Sequence, residues 1–181
     1  MQHFFSALIT NVLRSFSRYY GAPHILAILI TYVLVTNNFD WYYFVHMQSV
    51  TVLHTIFFPA IPIGGIVPII APLIVIVAGL LMKRHKVTLT GWALLQAMIL
   101  GSFISSTYKA FTGRVQPAMN NFVVDSSHQF NFGFFEHGIF WGWPSSHTTI
   151  AFAMAVTLVM LFPKHRIVQV LAMLYAFYIG I

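Results

Sequence analysis

The chain has no cysteine among its 181 residues and only three acidic residues. The lack of cysteine excludes disulfides, thiolate nucleophiles and sulfur-ligated metal sites. Charged residues make up 7% of the sequence, which is too little for the surface of a soluble domain of this length. In their place, 59% of the residues are hydrophobic and 17% are aromatic, and the mean hydropathy is +0.81. This composition predicts an integral membrane protein with aromatic anchors at the interfaces.

Five apolar segments predict an all-α fold, a polytopic integral membrane helix bundle. They cover residues 21–39, 61–82, 89–111, 144–162 and 167–181. Pro62, Pro68 and Pro72 should kink the second segment without preventing a span, because neighbouring helices can satisfy the freed backbone groups. The stretches 1–20 and 37–60 mix apolar and polar residues and predict helices that lie in the interface. We expect a single membrane-embedded domain over residues 1–181.

The basic residues fall into three clusters beside these segments. Arg14 with Arg18, residues 83–86 and residues 164–166 share one side if the first four segments cross alternately. The positive-inside rule makes that side cytoplasmic. The formal charge of +6 is then explained by the membrane, so we expect no nucleic-acid partner.

Lys109 and Arg114 depart from this charge rule, because they lie at the non-cytoplasmic end of the third segment. One interpretation is that both side chains snorkel to the outer lipid headgroups. The other starts from Gly113, which permits a turn after the helix, so that both cations can face one point. Guanidinium offers a planar fork for phosphate oxygens, and ammonium adds a point charge.

The stretch Pro144-Ser145-Ser146-His147 opens the fourth segment on the same side. Serine hydroxyls and backbone N–H groups at a helix N-terminus can bind an anion, and a histidine in the first turn can deliver a proton. The simpler alternative is an N-cap that His147 merely follows. Together with Lys109 and Arg114, the stretch predicts phosphate chemistry at the non-cytoplasmic membrane surface.

Both motifs resemble signatures of the type 2 phosphatidic acid phosphatase superfamily, which includes lipid phosphatases and vanadium haloperoxidases. Lys109-x4-Arg114-x-Gln116-Pro117 is similar to the first signature, usually a lysine, six residues and Arg-Pro. Residues 144–147 are similar to the second, usually Pro-Ser-Gly-His with a serine variant at the third place. The topology agrees over nearly the whole chain, because the family's membrane members have six helices with these signatures at the outer ends of the third and fourth.

The sequence departs from the family pattern in two places. Gln116 stands where the first signature has its arginine, so one cationic ligand is lost unless Arg114 substitutes for it. The third signature, Ser-Arg followed by a histidine and an aspartate, is missing, and about five of the expected six segments are present. A helix over residues 167–181 would be roughly 22 Å long, against a hydrocarbon core of about 30 Å. We therefore expect a C-terminally truncated copy or fragment of a longer enzyme, inactive in this form.

The resemblance implies a membrane phosphatase that hydrolyses a lipid phosphate or pyrophosphate at the non-cytoplasmic face. A histidine, supplied in the family by the third signature, attacks phosphorus to form a phosphohistidine, and His147 protonates the leaving oxygen. The phosphate-binding residues would be Lys109, Arg114, Gln116, Ser145 and Ser146. The lipid phosphatase chemistry that the resemblance implies needs no metal, and we expect no cofactor.

Other interpretations remain open at this stage. The absent nucleophile favours a non-catalytic membrane protein that binds anionic lipid headgroups. Alternatively, an outer histidine replaces the nucleophile, although such residues are more simply explained as solvated or interfacial. The candidates are His128 and His137, with Asp125 and Glu136 as orienting groups, and also His46 and His54. The outer histidines match no recognised zinc-ligand spacing.

We expect the partners to be a phosphorylated lipid substrate and membrane lipids. The expected location is the bacterial inner (plasma) membrane, with the active site facing the non-cytoplasmic side. The sequence does not choose among lipid phosphates, and it leaves the oligomeric state open.

Overall fold

The computed structural model describes residues 2–115, 124–126, 128–136 and 142–181, and within these ranges it contains helices and no β-strand. Helix α1 covers Gln2–Ser15, and a short 3-10 turn, Arg18–Tyr20, leads into α2, Gly21–Thr36. Two shorter helices follow, α3 over Phe39–Ser49 and α4 over Thr51–Phe57. Two longer helices come next, α5 over Ala60–Leu81 and α6 over His85–Thr112. The last two helices are α7, Ser146–Leu161, and α8, Arg166–Gly180. The predicted all-α class is confirmed.

Three helical stretches of the described chain are long and apolar enough to cross a membrane: Arg18–Thr36, Thr51–Leu81 and His85–Thr112. Helices α7 and α8 are apolar but shorter. Each of the five predicted apolar segments therefore coincides with a helix. The predicted fold class, a helical membrane bundle, is confirmed. That α7 and α8 also cross the membrane stays a prediction.

The predicted end of the first segment, residue 39, is wrong by three residues. Helix α2 ends at Thr36, and Asn38 adopts a left-handed conformation with φ of 54°. Asparagine tolerates this conformation, which stops the helix and lets Phe39 begin α3. Similarly, Pro144 lies outside α7, because Ser145 is its N-cap. Pro68 and Pro72, by contrast, lie inside an unbroken α5.

The chain divides into two compact units. The first unit comprises Met1–Ile56 with Ser106–Trp143, and the second comprises Phe57–Ser105 with Pro144–Ile181. This division leaves the prediction of one domain over residues 1–181 untested.

In the second unit, small residues allow α7 and α8 to pack closely. Ala151 and Ala155 on α7 join Ala172 and Ala176 on α8 in one buried cluster. Each pair has a spacing of four residues and so lies on one helix face. Small residues at such spacing let backbones approach, which is the usual basis of helix association in a membrane.

Helices α5 and α6 also approach each other closely in the second unit. A Cβ added to Gly79 would lie 2.5 Å from Thr88 Oγ1, and one added to Gly91 would lie 2.7 Å from the Ile76 backbone nitrogen. Neither position has room for a side chain. These contacts place α5 beside α6. Helix α5 also carries Gly64 and Gly65, which lie against His147.

Candidate active site

Lys109 lies in the last turn of α6 and is buried, with an exposed fraction of 8%. The helix ends three residues later, at Thr112; the N–H of Gly113 still donates to the Lys109 carbonyl, and Gly113 then leaves the helical conformation with φ of 46°. A Cβ on Gly113 would lie 2.5 Å from the Asn131 carbonyl oxygen, so the position requires glycine. The predicted turn at Gly113 is confirmed.

Backbone groups from the following loop satisfy the end of α6. The N–H groups of Asn131, Gly133 and Phe135 donate to the carbonyls of Thr112, Phe111 and Ala110, respectively. The last carbonyls of a helix have no partner within it, so this alternating pattern fixes the loop against the helix end. The backbone around Lys109 is therefore held in one conformation.

Arg114 forms an ion pair with Asp40, the second residue of α3 in the first unit. The guanidinium also lies over the ring of Phe130, 5.4 Å from its centroid. Both charged side chains are largely buried, with exposed fractions of 14% for Arg114 and 23% for Asp40. The second carboxylate oxygen, Asp40 Oδ1, is buried without a hydrogen-bond partner in the described structure. Arg114 therefore has a protein counter-charge.

Lys109 differs from Arg114 in this respect. Within the described ranges, no carboxylate forms an ion pair with Lys109. Its burial also disfavours the snorkelling interpretation, in which the side chain reaches lipid headgroups or water. Of the two predicted cations, Lys109 is thus the one that no described carboxylate neutralises.

Ser145 and Ser146 use their hydroxyls within the second unit. Ser145 is the N-cap of α7, and its Oγ accepts from the Thr148 N–H at 3.3 Å. Ser146 Oγ lies 2.8 Å from Oγ of the fully buried Ser105, which itself donates to the Pro144 carbonyl at 3.3 Å. Because Ser105 has one proton, Ser146 is the donor in the pair. Both N-cap and anion-site interpretations remain compatible with this geometry.

His147 lies in the first turn of α7, half-buried against two glycines of α5. A Cβ on Gly64 would lie 3.0 Å from His147 Cβ, and one on Gly65 would lie 3.4 Å from His147 Nε2. The absence of side chains at Gly64 and Gly65 creates the space that the imidazole occupies. The sequence offered one signal of this, a Gly-Gly pair in an otherwise apolar helix.

The remaining candidates are more dispersed. Gln116 and His137 lie outside the described residues, so their roles stay predictions. His128 Nε2 is 2.7 Å from Asn38 Oδ1, and the His46 ring stacks on Tyr42. The part of the chain that the structure describes shows no group of three His, Asp or Glu side chains that could hold a metal ion.

The predicted site residues belong to different units. Lys109 and Arg114 are in the first unit, whereas Ser145, Ser146 and His147 are in the second. Their convergence on one phosphate stays a prediction. Three neighbours of the predicted residues were not predicted from the sequence. They are Asp40 beside Arg114, Ser105 beside Ser146, and the Gly64-Gly65 pair beside His147.

Comparison with known proteins relates the region from α6 to α8 to one family. A family model described as the PAP2 superfamily matches residues 90–181, which hold both signature-like motifs. No curated protein and no solved structure shows a significant match. The matched region covers half of the chain and confirms the resemblance found in the sequence: the chain belongs to the PAP2 superfamily.

Proposed function

We propose that this chain is a bacterial inner-membrane phosphatase that acts on a lipid phosphate or pyrophosphate at the non-cytoplasmic face. The observation that supports this most directly is the burial of Lys109 without an ion-pairing carboxylate among the described residues. A buried ammonium group without a counter-charge is costly. A bound phosphate would supply that counter-charge.

The N-terminus of α7 would supply neutral donors to the same anion. The N–H groups of Ser146 and His147 belong to the first turn and have no acceptor within the helix. Because Ser145 Oγ accepts from Thr148 and Ser146 Oγ donates to Ser105, the serine side chains shape the turn. The phosphate would be held by backbone N–H groups and the helix dipole.

His147 would protonate the leaving oxygen of the lipid. Its ring lies in the first turn of α7, and the two glycines of α5 leave room for it there. A general acid needs an imidazole within hydrogen-bond reach of the leaving group, so the position of the ring matters as much as its identity. In the proposed reaction a histidine nitrogen attacks phosphorus to form a phosphohistidine, and the phosphorus–oxygen bond to the lipid breaks as His147 protonates the leaving oxygen. Water then hydrolyses the phosphorus–nitrogen bond and releases phosphate.

The second candidate function is a membrane protein that binds anionic headgroups without hydrolysis. It is supported by one observation: Lys109 is buried without an ion-pairing carboxylate among the described residues, and anion binding alone would account for this, with or without a nucleophile. His128, one candidate substitute, has its Nε2 hydrogen-bonded to Asn38. Phosphate binding is common to both candidates, and release of phosphate separates them.

The substrate class follows from the membrane setting. Lys109 lies near the end of His85–Thr112, a helix long and apolar enough to span a bilayer, so the phosphate would be presented at the interface by a lipid whose chain stays in the bilayer. Phosphatidate, phosphatidylglycerol phosphate, polyprenyl pyrophosphate and lipid A phosphates all have this form.

The first test is binding of inorganic phosphate to the purified chain in detergent, measured by titration calorimetry. Lys109→Met should weaken binding about tenfold or more, because it removes a charge-assisted contact. Lys86→Met, in an exposed basic cluster, is the matched control and should bind like the parent. Equal affinity in the two variants would contradict the proposed site.

The second test is phosphate release from phosphatidate and from a polyprenyl pyrophosphate. Release by the parent chain well above that of His147→Ala supports the hydrolase. Binding that depends on Lys109, without release above the His147→Ala level, supports the non-catalytic binder instead.

A further inference from the structure

The first unit contains a cavity of about 790 Å³, which we call the His24 cavity. Its walls include His24, Tyr32 and Val35 from the N-terminal helices, Tyr108 and Phe111 from α6, and Trp143. The volume lies within the range of small-molecule binding sites, about 300–1,000 Å³. None of the described lining residues is Lys, Arg, Asp or Glu.

His24 and Tyr108 form the polar end of this cavity, and their hydrogen bonds define which groups are donors. His24 Nε2 lies 2.8 Å from the Ser15 carbonyl oxygen, which can only accept, so Nε2 carries a proton. In the neutral ring Nδ1 then accepts from the Tyr108 hydroxyl at 2.6 Å. The protons on His24 Nε2 and on the Tyr108 hydroxyl are therefore both used in hydrogen bonds within the protein, and the Tyr108 oxygen retains a lone pair.

Three of the four threonines that line the cavity follow the same pattern. The hydroxyls of Thr31, Thr36 and Thr112 each donate to the backbone carbonyl four residues earlier, at distances of 2.8 to 2.9 Å. Each hydroxyl oxygen can still accept a hydrogen bond. These groups, with Tyr108, thus offer acceptors to a ligand and no proton. An ionised carboxylate or phosphate needs donors and would find none in them.

The wall formed by α2 gives access to the cavity. Tyr32 and Ile28 line the cavity, yet they are 66% and 51% exposed, so this wall is not sealed by other parts of the protein. The stretch Arg18–Thr36 is long and apolar enough to span a membrane, and in a bilayer its exposed residues face lipid. A hydrocarbon chain could therefore enter beside α2 without crossing water.

We propose that the His24 cavity binds the hydrocarbon chain of a membrane lipid, with an uncharged hydroxyl or amide donor directed at the Tyr108 oxygen. Apolar walls suit the chain, and the lone pair on the Tyr108 oxygen suits a donor better than an anion. The proposal does not depend on phosphate binding or hydrolysis, because its site contains neither Lys109 nor His147.

The test uses quenching of tryptophan fluorescence by hexadecanol brominated in mid-chain, added to the purified chain in detergent. Trp143 lines the cavity, with its ring centroid 5.2 Å from that of Tyr108. Saturable quenching is expected in the parent and should disappear in Trp143→Phe. Similarly brominated palmitate should bind about tenfold more weakly, because its carboxylate lacks a donor. Saturable quenching that persists in Trp143→Phe, or equal binding of palmitate, would overturn the proposal.

A matched pair of α2 variants locates the bound chain. Val35 is buried and lines the cavity, so Val35→Phe should fill it and weaken hexadecanol binding about tenfold or more. Val33 is 53% exposed and does not line the cavity, so Val33→Phe should bind like the parent. Helical content by circular dichroism checks that both variants fold. Equal affinity in two folded variants would contradict the proposed location.

Competition then distinguishes the two sources of such a chain. Phosphatidate and diacylglycerol with identical acyl chains are each used to displace the brominated alcohol. Displacement at lower concentrations of phosphatidate indicates the chain of a phosphorylated lipid, and equal displacement indicates any membrane lipid. Both results support a lipid-chain site, whereas no displacement by either lipid would overturn it.

Discussion

Asp40 and Arg114 form an ion pair across 74 residues of sequence, and both side chains are largely buried. The pair joins the start of α3 to the segment after α6 within the first unit. It places one of the two predicted phosphate-binding cations against a protein carboxylate, whereas Lys109 has no ion-pair partner among the described residues. The two cations therefore differ in electrostatic environment.

Asp40→Asn should destabilise the chain by about 1–3 kcal/mol, because it leaves the Arg114 charge largely buried without its counter-ion. Thermal unfolding in detergent measures the loss. The charge-reversed double variant, Asp40→Arg with Arg114→Asp, should recover part of this stability. Arg84→Gln, at an exposed position, should leave it unchanged. A double variant no more stable than Asp40→Arg alone would contradict the pairing.

Ser146→Ala should lower stability by about 1 kcal/mol, because it removes the donor that reaches buried Ser105. Phosphate affinity should change little if backbone N–H groups make the contacts. Thr149→Val is the control, since the Thr149 hydroxyl donates to the Ser145 carbonyl in an exposed contact of the same turn. Chemical denaturation and phosphate titration of both variants provide the comparison. A large loss of affinity in Ser146→Ala would assign the phosphate contact to the side chain.

Much of the helical architecture could be predicted, because a bilayer forces apolar segments to satisfy their backbone groups internally. The turn at Gly113 was also predictable, since glycine readily adopts a positive φ at a helix end. The end of α2 was less so, because it depends on Asn38 rather than on hydropathy. Local sequence and the apolar environment of the bilayer were therefore sufficient to predict the helices and the Gly113 turn.

The side-chain partners of the site were not predictable from spacing. Asp40 is far from Arg114 in sequence, and Gly64 is far from His147, so only tertiary packing brings each pair together. The small number of acids was a usable signal for Asp40, because a buried cation in such a chain has few counter-charges to choose from. No comparable signal identified Ser105.

Single cysteines should report the predicted topology, because the parent chain has none. His85→Cys and His165→Cys lie in the basic clusters and should resist an impermeant thiol reagent in intact cells. Val124→Cys, at a position 56% exposed, should be labelled. All three should react after the membrane is permeabilised, which controls for accessibility. Labelling of 85 and 165 but not 124 in intact cells would reverse the orientation.

Gly64→Ala should displace His147 from its place beside α5. The added Cβ would lie 2.9 Å from Ile179 Cγ2 and 3.0 Å from His147 Cβ, closer than packed carbon atoms approach, so one neighbour must move. We expect a loss of about 1–3 kcal/mol in stability from overpacking. If His147 acts as the general acid, any phosphate release should fall as well.

Two further glycine variants separate this effect from helix propensity. Gly65→Ala places its Cβ 3.4 Å from His147 Nε2, so it should cost less stability than Gly64→Ala while still restricting the imidazole. Gly21→Ala meets no atom within 4 Å and should be neutral or slightly stabilising, because alanine favours helix. Thermal unfolding of the three variants should therefore rank Gly64→Ala lowest and Gly21→Ala highest. A Gly64→Ala chain as stable as Gly21→Ala would show that α5 does not confine His147.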